Sequence, residues 1–295
     1  MHFFEANAVL GLLAAALWGG GDFAGSIAVK RTGGAVRGAL FVILIGHLLS
    51  LAVVSALAMH AGDTFPHGAP LWWAIGGGAI SSISLVAFYI ALASGHMGSA
   101  AAVSGLLCAA VPAVVSGLTE GAPGWRRLLG FALAGAAIWL IASAGSHGET
   151  ASRKAFLLAT LSGLGFGVYF VSLKLAGTAG VLWPMGAARI GSASTAAILL
   201  LGMTLTNRNA ESGSPDGHRL RSLAWILGGA ALDTCGNLSF LAATRLGRLD
   251  VAAVLASIYP ASTILLAAAI LKERTSARQR WGMLLALPAV VLITL

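Results

Sequence analysis

The chain has 295 residues, of which 58% are hydrophobic and only 9% charged, with a mean hydropathy of +0.88. Soluble globular domains carry about 25% charged residues, so this composition excludes an ordinary soluble fold and belongs to a polytopic membrane protein. The formal charge of +8 does not mark a nucleic-acid binder, because the 18 Lys and Arg lie mainly in short connections between apolar runs, where they meet anionic lipid headgroups.

A membrane helix needs about 20 apolar residues, and ten segments qualify: about 6–29, 35–59, 70–93, 97–119, 125–146, 154–176, 181–206, 222–244, 249–271 and 277–295. The N-terminal Met1 to Asn7 stretch has no basic n-region, so no removable signal peptide is expected. The breaks between segments are short and polar, with 146–154 dividing the chain near its middle and 207–221 forming the longest loop. Trp72, Trp73, Trp125, Trp183, Trp225 and Trp281 fall near predicted helix ends, as an aromatic belt requires. Cys108 and Cys235 each sit inside an apolar run and read as small packing residues, with no disulfide or metal framework.

Six ordered landmarks repeat along the chain. Lys30 and Lys174 each close a Gly-rich helix, and Arg37 and Arg189 stand near the start of the next. Trp73-Ala-Ile-Gly-Gly-Gly78 resembles Trp225-Ile-Leu-Gly-Gly229, and Gly95 and Gly247 end the helix that follows. Glu120 and Glu273 precede basic segments that lead to Gly130 and Gly282. The separations are 144, 152, 152, 152, 153 and 152 residues. They divide the chain into two repeats of five helices, 1–149 and 150–295. Five is odd, so the second copy enters the membrane from the opposite side. The expected fold is therefore an all-α membrane protein with ten transmembrane helices as two inverted five-helix repeats, the architecture of secondary transporters with a midplane site. The loops away from the termini hold 12 Lys and Arg against 6 on the side of the termini. By the positive-inside rule that count places both termini outside.

Polar groups inside the apolar runs mark the candidate site. Asp22 lies deep in the first segment, where an unaccommodated charge costs about 2.5–3.5 kcal/mol. Gly19, Gly20, Gly21 and Gly25 surround it and allow a neighbouring helix or ligand to come close. Asp22 reads as a proton-coupling or amine-binding carboxylate, or else as a partner for another helix's polar group. Trp18, one helical turn earlier, shares its face and suits an amine or aromatic ligand. Asp233 and Asn237, spaced i, i+4 in the eighth segment, point one way, and the corresponding stretch of the third segment holds Ser81, Ser82 and Ser84. Ser257, Tyr259 and Pro260 interrupt the ninth segment, because proline frees a carbonyl and bends the helix. Tyr89, Phe166 and Tyr169 are aromatic candidates for the cavity wall. His47, in the middle of the second segment, reads as packing. Glu120 and Glu273, at helix ends beside arginines, read as interfacial ion pairs or as gates that form on one side and break on the other.

Taken together, these residues resemble a known family. Trp18-Gly19 followed by Lys30, the Arg37 and Arg189 positions, and Leu271-Lys-Glu-Arg274 leading to Gly282 resemble a ten-helix, EamA-type member of the drug/metabolite transporter superfamily. Trp18-Gly19-Gly20-Gly21-Asp22-Phe23 is similar to the Trp-Gly-x-x-Asp-Phe of a bacterial subgroup, as is Ala256-Ser-Ile-Tyr-Pro260. The first repeat departs from the pattern, with Leu107 where a proline would match Pro260 and Pro112 five residues on. The resemblance implies secondary transport, usually export, of small metabolites, amino acids or drugs, and termini in the cytoplasm, opposite to the charge count.

The expected function is transport, and by the resemblance export, of a small metabolite such as an amino acid, amine or drug-like solute, with an amine-bearing or zwitterionic one favoured, by alternating access in a bacterial cytoplasmic membrane. Helices 1, 3, 4, 6, 8 and 9 are expected to line the cavity, and Asp22 and Asp233 are the proton-coupling candidates. The alternatives are uptake of a sugar or other solute, or a non-transporting receptor or scaffold. No metal-spaced His cluster, nucleophile elbow or phosphate loop points to an enzyme, and no cofactor is expected. The expected partners are the small-molecule substrate, lipids and protons, with no nucleic acid, in a monomer or weak dimer.

Overall fold

The structure is a computed structural model and describes residues 6–31, 35–93, 97–143, 153–206, 219–272 and 275–294. The described residues are helical nearly throughout and include no β-strand. In chain order the helices are α1 (Ala6–Arg31), α2 (Ala35–Ala61), α3 (Ala69–Ala93), α4 (Met97–Thr119), α5 (Trp125–Ser143), α6 (Arg153–Ala176), α7 (Leu182–Thr206), α8 (Arg219–Leu246), α9 (Leu249–Ala256), α10 (Tyr259–Ile270) and α11 (Ala277–Thr294). Seven stretches among the described residues are long and apolar enough to cross a membrane, with α9 and α10 counted as one. The chain is thus a multi-pass, all-α membrane protein.

The ninth predicted segment is the one that breaks. Ser257 and Ile258 separate α9 from α10, and Pro260 stands in the first turn of α10, where its missing N–H costs no helical hydrogen bond. Its counterpart α4 carries Pro112 inside and continues across it. Of these two stretches, only the one that holds Pro260 is split into two helices.

Helices of the first half pack mainly on helices of the second. α1 lies along α8, α9 and α10; α3 along α6 and α7; α4 along α6; α2 along α7; and α5 along α11. Lipid tails are as apolar as leucine, so such contacts depend on close packing rather than on a hydrophobic drive between helices. Gly19 shows how: a Cβ there would stand 2.7 Å from the Tyr259 carbonyl oxygen and would collide with Ser262 Cβ. The Thr263 hydroxyl donates to the Gly19 carbonyl at 3.1 Å, tying α1 to the start of α10.

A still closer backbone approach joins α3 and α7. A Cβ on Gly78 would lie 2.7 Å from the Ala188 carbonyl carbon and would overlap its oxygen. Gly78→Ala should therefore cost about 2–3 kcal/mol of overpacking, more than the roughly 1 kcal/mol that alanine gains in a helix. Gly76, two residues earlier on α3, is the control, because no atom lies within 4 Å of where its Cβ would stand. Thermal unfolding in detergent should show a lower Tm for Gly78→Ala and an unchanged or higher one for Gly76→Ala.

Candidate functional site

A cavity of about 110 Å³ opens among α1, α2, α3, α4, α6, α7, α8 and α10. Its wall is Trp18 and Asp22 from α1, His47 from α2, Ser81, Leu85 and Phe88 from α3, Cys108 from α4, and Phe166, Tyr169 and Phe170 from α6. Arg189 from α7, Asp233 and Asn237 from α8, and Tyr259 from α10 complete it. Of the residues expected there, Trp18, Asp22, Phe166, Tyr169, Asp233, Asn237 and Tyr259 are brought together. Ser257 is fully buried behind the wall, its hydroxyl donating to the Ala253 carbonyl at 2.7 Å. Glu120 stands apart, at the end of α4 on the side of the chain termini. Glu273 and the side chain of Tyr89 lie outside the described residues.

Three residues enter against expectation, one of them Cys108, read as small packing. His47, read as packing, lines the cavity, with Nε2 4.0 Å from Asp233 Oδ2, too long for a hydrogen bond. Arg189, read as a landmark near a helix start, lies seven residues into α7, about 10 Å from its end, and is 2% exposed. Its signal in the sequence is its depth in an apolar run, the same signal that marks Asp22. The helices lining the cavity therefore include the second and seventh as well as those expected.

Arg189 explains Asp233. Arg189 Nη2 donates to Asp233 Oδ2, and Nε donates to the Ser50 hydroxyl of α2 at 3.0 Å. The Thr234 hydroxyl meets Ser50 Oγ at 2.7 Å. On the other side, Asn237 Nδ2 donates to Asp233 Oδ1 at 3.0 Å, and Tyr169 Oη donates to Asn237 Oδ1 at 2.8 Å. A continuous polar chain thus runs from α6 through α8 and α7 to α2, and both oxygens of Asp233 are engaged in it. Such a network, when satisfied, fixes its members in place.

Asp22 differs. Among the described residues its carboxylate has no hydrogen-bond or ion-pair partner, and it faces the cavity that Trp18 and Asp233 also line. Arg189 balances Asp233, so among the described residues the cavity holds one carboxyl without a counter-charge, Asp22. Aromatic rings share the wall. Trp18 stacks on Phe170 at 5.1 Å with 10° between the planes, and Phe170 packs on Phe240 at 4.4 Å. The site thus offers a cationic ligand a carboxylate and π-faces together.

No curated protein sequence matches the chain. A solved structure titled "Crystal structure of protein" covers 99% of this chain and 99% of its own, with a TM-score of 0.78 at 17% identity, a likeness of fold. The model of the EamA-like transporter family matches residues 153–295. That second half is thus similar to the EamA-like transporter family, which points to a membrane transporter of small solutes.

Proposed function

We propose that the protein exports a small amine-bearing or zwitterionic metabolite across a bacterial cytoplasmic membrane, by alternating access around the cavity and with Asp22 as the proton-coupling carboxylate. The observation that carries this reading is the carboxylate of Asp22, without a hydrogen-bond or ion-pair partner among the described residues, in an aromatic-walled cavity between the two halves of the chain. Of the two acids named as coupling candidates, only Asp22 is free to exchange a proton for a ligand's charge, since Asp233 is held by Arg189 and Asn237.

Residues 1–149 and 150–295 are read as inverted repeats. In support, the packing pattern keeps its form when each helix is exchanged for the one five segments on: α1 with α8 becomes α6 with α3, and α1 with α9 and α10 becomes α6 with α4. The cavity wall also pairs up at the separations of the landmarks. Asp22 and Phe166 are 144 residues apart, and Ser81 and Asp233, like Leu85 and Asn237, are 152 apart. A site on the repeat interface near the midplane is where such transporters bind.

The test is a solute screen by thermal shift on purified protein at pH 6 and pH 8, followed by flux of each hit in proteoliposomes with and without a proton gradient. A stabilising amine whose flux follows the gradient supports the reading. Flux indifferent to pH removes the proton from it, and failure of every amine and zwitterion removes the substrate class.

A further inference from the structure

Behind the cavity, on the side of the chain termini, the helices close on one another. Phe240 and Leu241 of α8 and Leu173 of α6 are at most 1% exposed. Beyond that buried layer lies a cluster of four charges. Lys174 Nζ of α6 meets Glu120 Oε1 at 2.9 Å. Glu120 Oε2 accepts from the Ser116 hydroxyl at 2.8 Å and from the Leu249 N–H, at the start of α9, at 3.2 Å. Arg248 donates to the carbonyls of Glu120 and Gly121 at 3.1 and 2.8 Å, and to the buried Asp250 carboxylate at 2.7 Å. Lys174 also donates to the Thr244 carbonyl at 2.9 Å.

These contacts fasten the end of α4, in the first half, to α6 and to the α8–α9 connection, in the second. They stand in line with the cavity. Cys108, Tyr169 and Asn237 line it, and Ser116, Lys174 and Thr244 follow on the same helices eight, five and seven residues on, or about 8–12 Å along the axes. The cavity itself is open, with the Asp233 side chain 37% accessible. We propose that Glu120, Lys174 and Arg248 form a latch that holds the cavity shut on the side of the chain termini, and that the latch must part before the cavity opens there.

The chemistry suits a reversible fastening. The cluster holds two acids and two bases at a helix end. All but Asp250 keep some exposure, and so avoid the several kcal/mol that an ion costs deep in the interior. Charge-assisted hydrogen bonds are short and directional. Those from Lys174 and Leu249 to the Glu120 carboxylate, and from Arg248 to the Glu120 and Gly121 carbonyls, all cross between the halves. The charged groups around Glu120 are Lys174 from α6 and Arg248 and Asp250 from the α8–α9 connection. Burial acts against the Glu120 carboxylate, but hydrogen bonds from Lys174, Ser116 and the Leu249 amide outweigh it and hold its pKa below the ordinary 4.5. A depressed carboxyl pKa means that the contribution is whole above 4.5 and fades only as the pH falls through the lowered value. The latch is therefore closed throughout the neutral range and yields to movement of the halves, not to protons.

The proposal rests on the cavity being the transport site, but its test reads opening and needs no transported solute. A reporter cysteine is placed at Phe166 with Cys108→Ala and Cys235→Ser, and a membrane-impermeant thiol reagent is added from either side of oriented vesicles. With the latch intact, labelling from the side of the α4–α5 connection is slow. Glu120→Gln and, independently, Lys174→Gln should speed labelling from that side by about tenfold, as expected for losing charge-assisted hydrogen bonds. Lys174→Arg should keep the original rate. Folded variants whose labelling stays one-sided overturn the proposal, and a lowered Tm with unchanged sidedness makes the cluster a structural tie only. Altered sidedness with no flux of any solute leaves the latch standing and removes the transport reading instead.

Discussion

Asp22→Asn is expected to fold as the parent protein does and to lose its ligand response. The substitution preserves shape and breaks no hydrogen bond or ion pair, because the carboxylate has no partner among the described residues. The Tm without ligand should therefore stay close to that of the parent, within the roughly 0.5 kcal/mol typical of substitutions that touch nothing special. What changes is the cavity carboxyl that has no counter-charge among the described residues. A hydrogen bond to a charged group is worth about 1.5–3 kcal/mol, so affinity for an amine should fall by about 10- to 150-fold. A thermal-shift titration would show the ligand-induced rise in Tm move to correspondingly higher concentrations. Flux in proteoliposomes would lose its dependence on the proton gradient, since the remaining acid, Asp233, is committed to Arg189 and Asn237. Full ligand response in Asp22→Asn would give Asp22 a packing role and move the search to the Asp233–Asn237 face of α8.

The Arg189–Asp233 pair should show the opposite behaviour: large effects on stability from each single substitution and much less from both together. Removing one partner of a buried pair costs about 3–5 kcal/mol, because it strands the other charge. The two partners are not equivalent. Arg189 is 3% accessible through its side chain and Asp233 37%. Asp233→Leu leaves a guanidinium with almost no water, and the full cost applies. Arg189→Met leaves a carboxylate that water in the cavity solvates, so the cost falls at or below the lower end. Replacing a buried pair by packed apolar residues is often neutral. Arg189→Met with Asp233→Leu should thus recover most of the loss, leaving the cost of Ser50 and Asn237 without their partners, about 1–3 kcal/mol. Unfolding of the four proteins in a mixed detergent–denaturant series measures the cycle. Additive losses would mean that the two side chains do not interact, and equal losses would mean that their burial does not differ.

Arg189 is also the residue whose importance is hardest to see in the chain. It repeats the Arg37 position at a separation of 152 residues, and as a landmark it reads like an interfacial cation. Arg37 is indeed exposed near the start of α2, while Arg189 is buried well inside α7. Periodicity ties the two positions together but not their depth, because depth depends on where each helix begins relative to the bundle. His47 is a similar case. A lone histidine in an apolar helix reads as packing, and only the approach of α2 to α8 brings it toward Asp233.

Length and hydropathy by themselves determined the class of this protein, because a chain of 20 apolar residues in lipid must satisfy its own backbone, which a helix does within one segment. The glycines and proline determined where helices approach and where one breaks, as Gly19 and Pro260 show, since both act through the local backbone. The choice between two intramembrane carboxylates was made by the tertiary structure alone. Asp22 and Asp233 look alike in sequence, each an acid in an apolar helix. They differ because α7 carries Arg189 to one and no helix carries a cation to the other among the described residues. Electrostatic attraction strong enough to fix a partner acts over a few ångströms, and which residues come within that distance across two packed halves is a property of the fold.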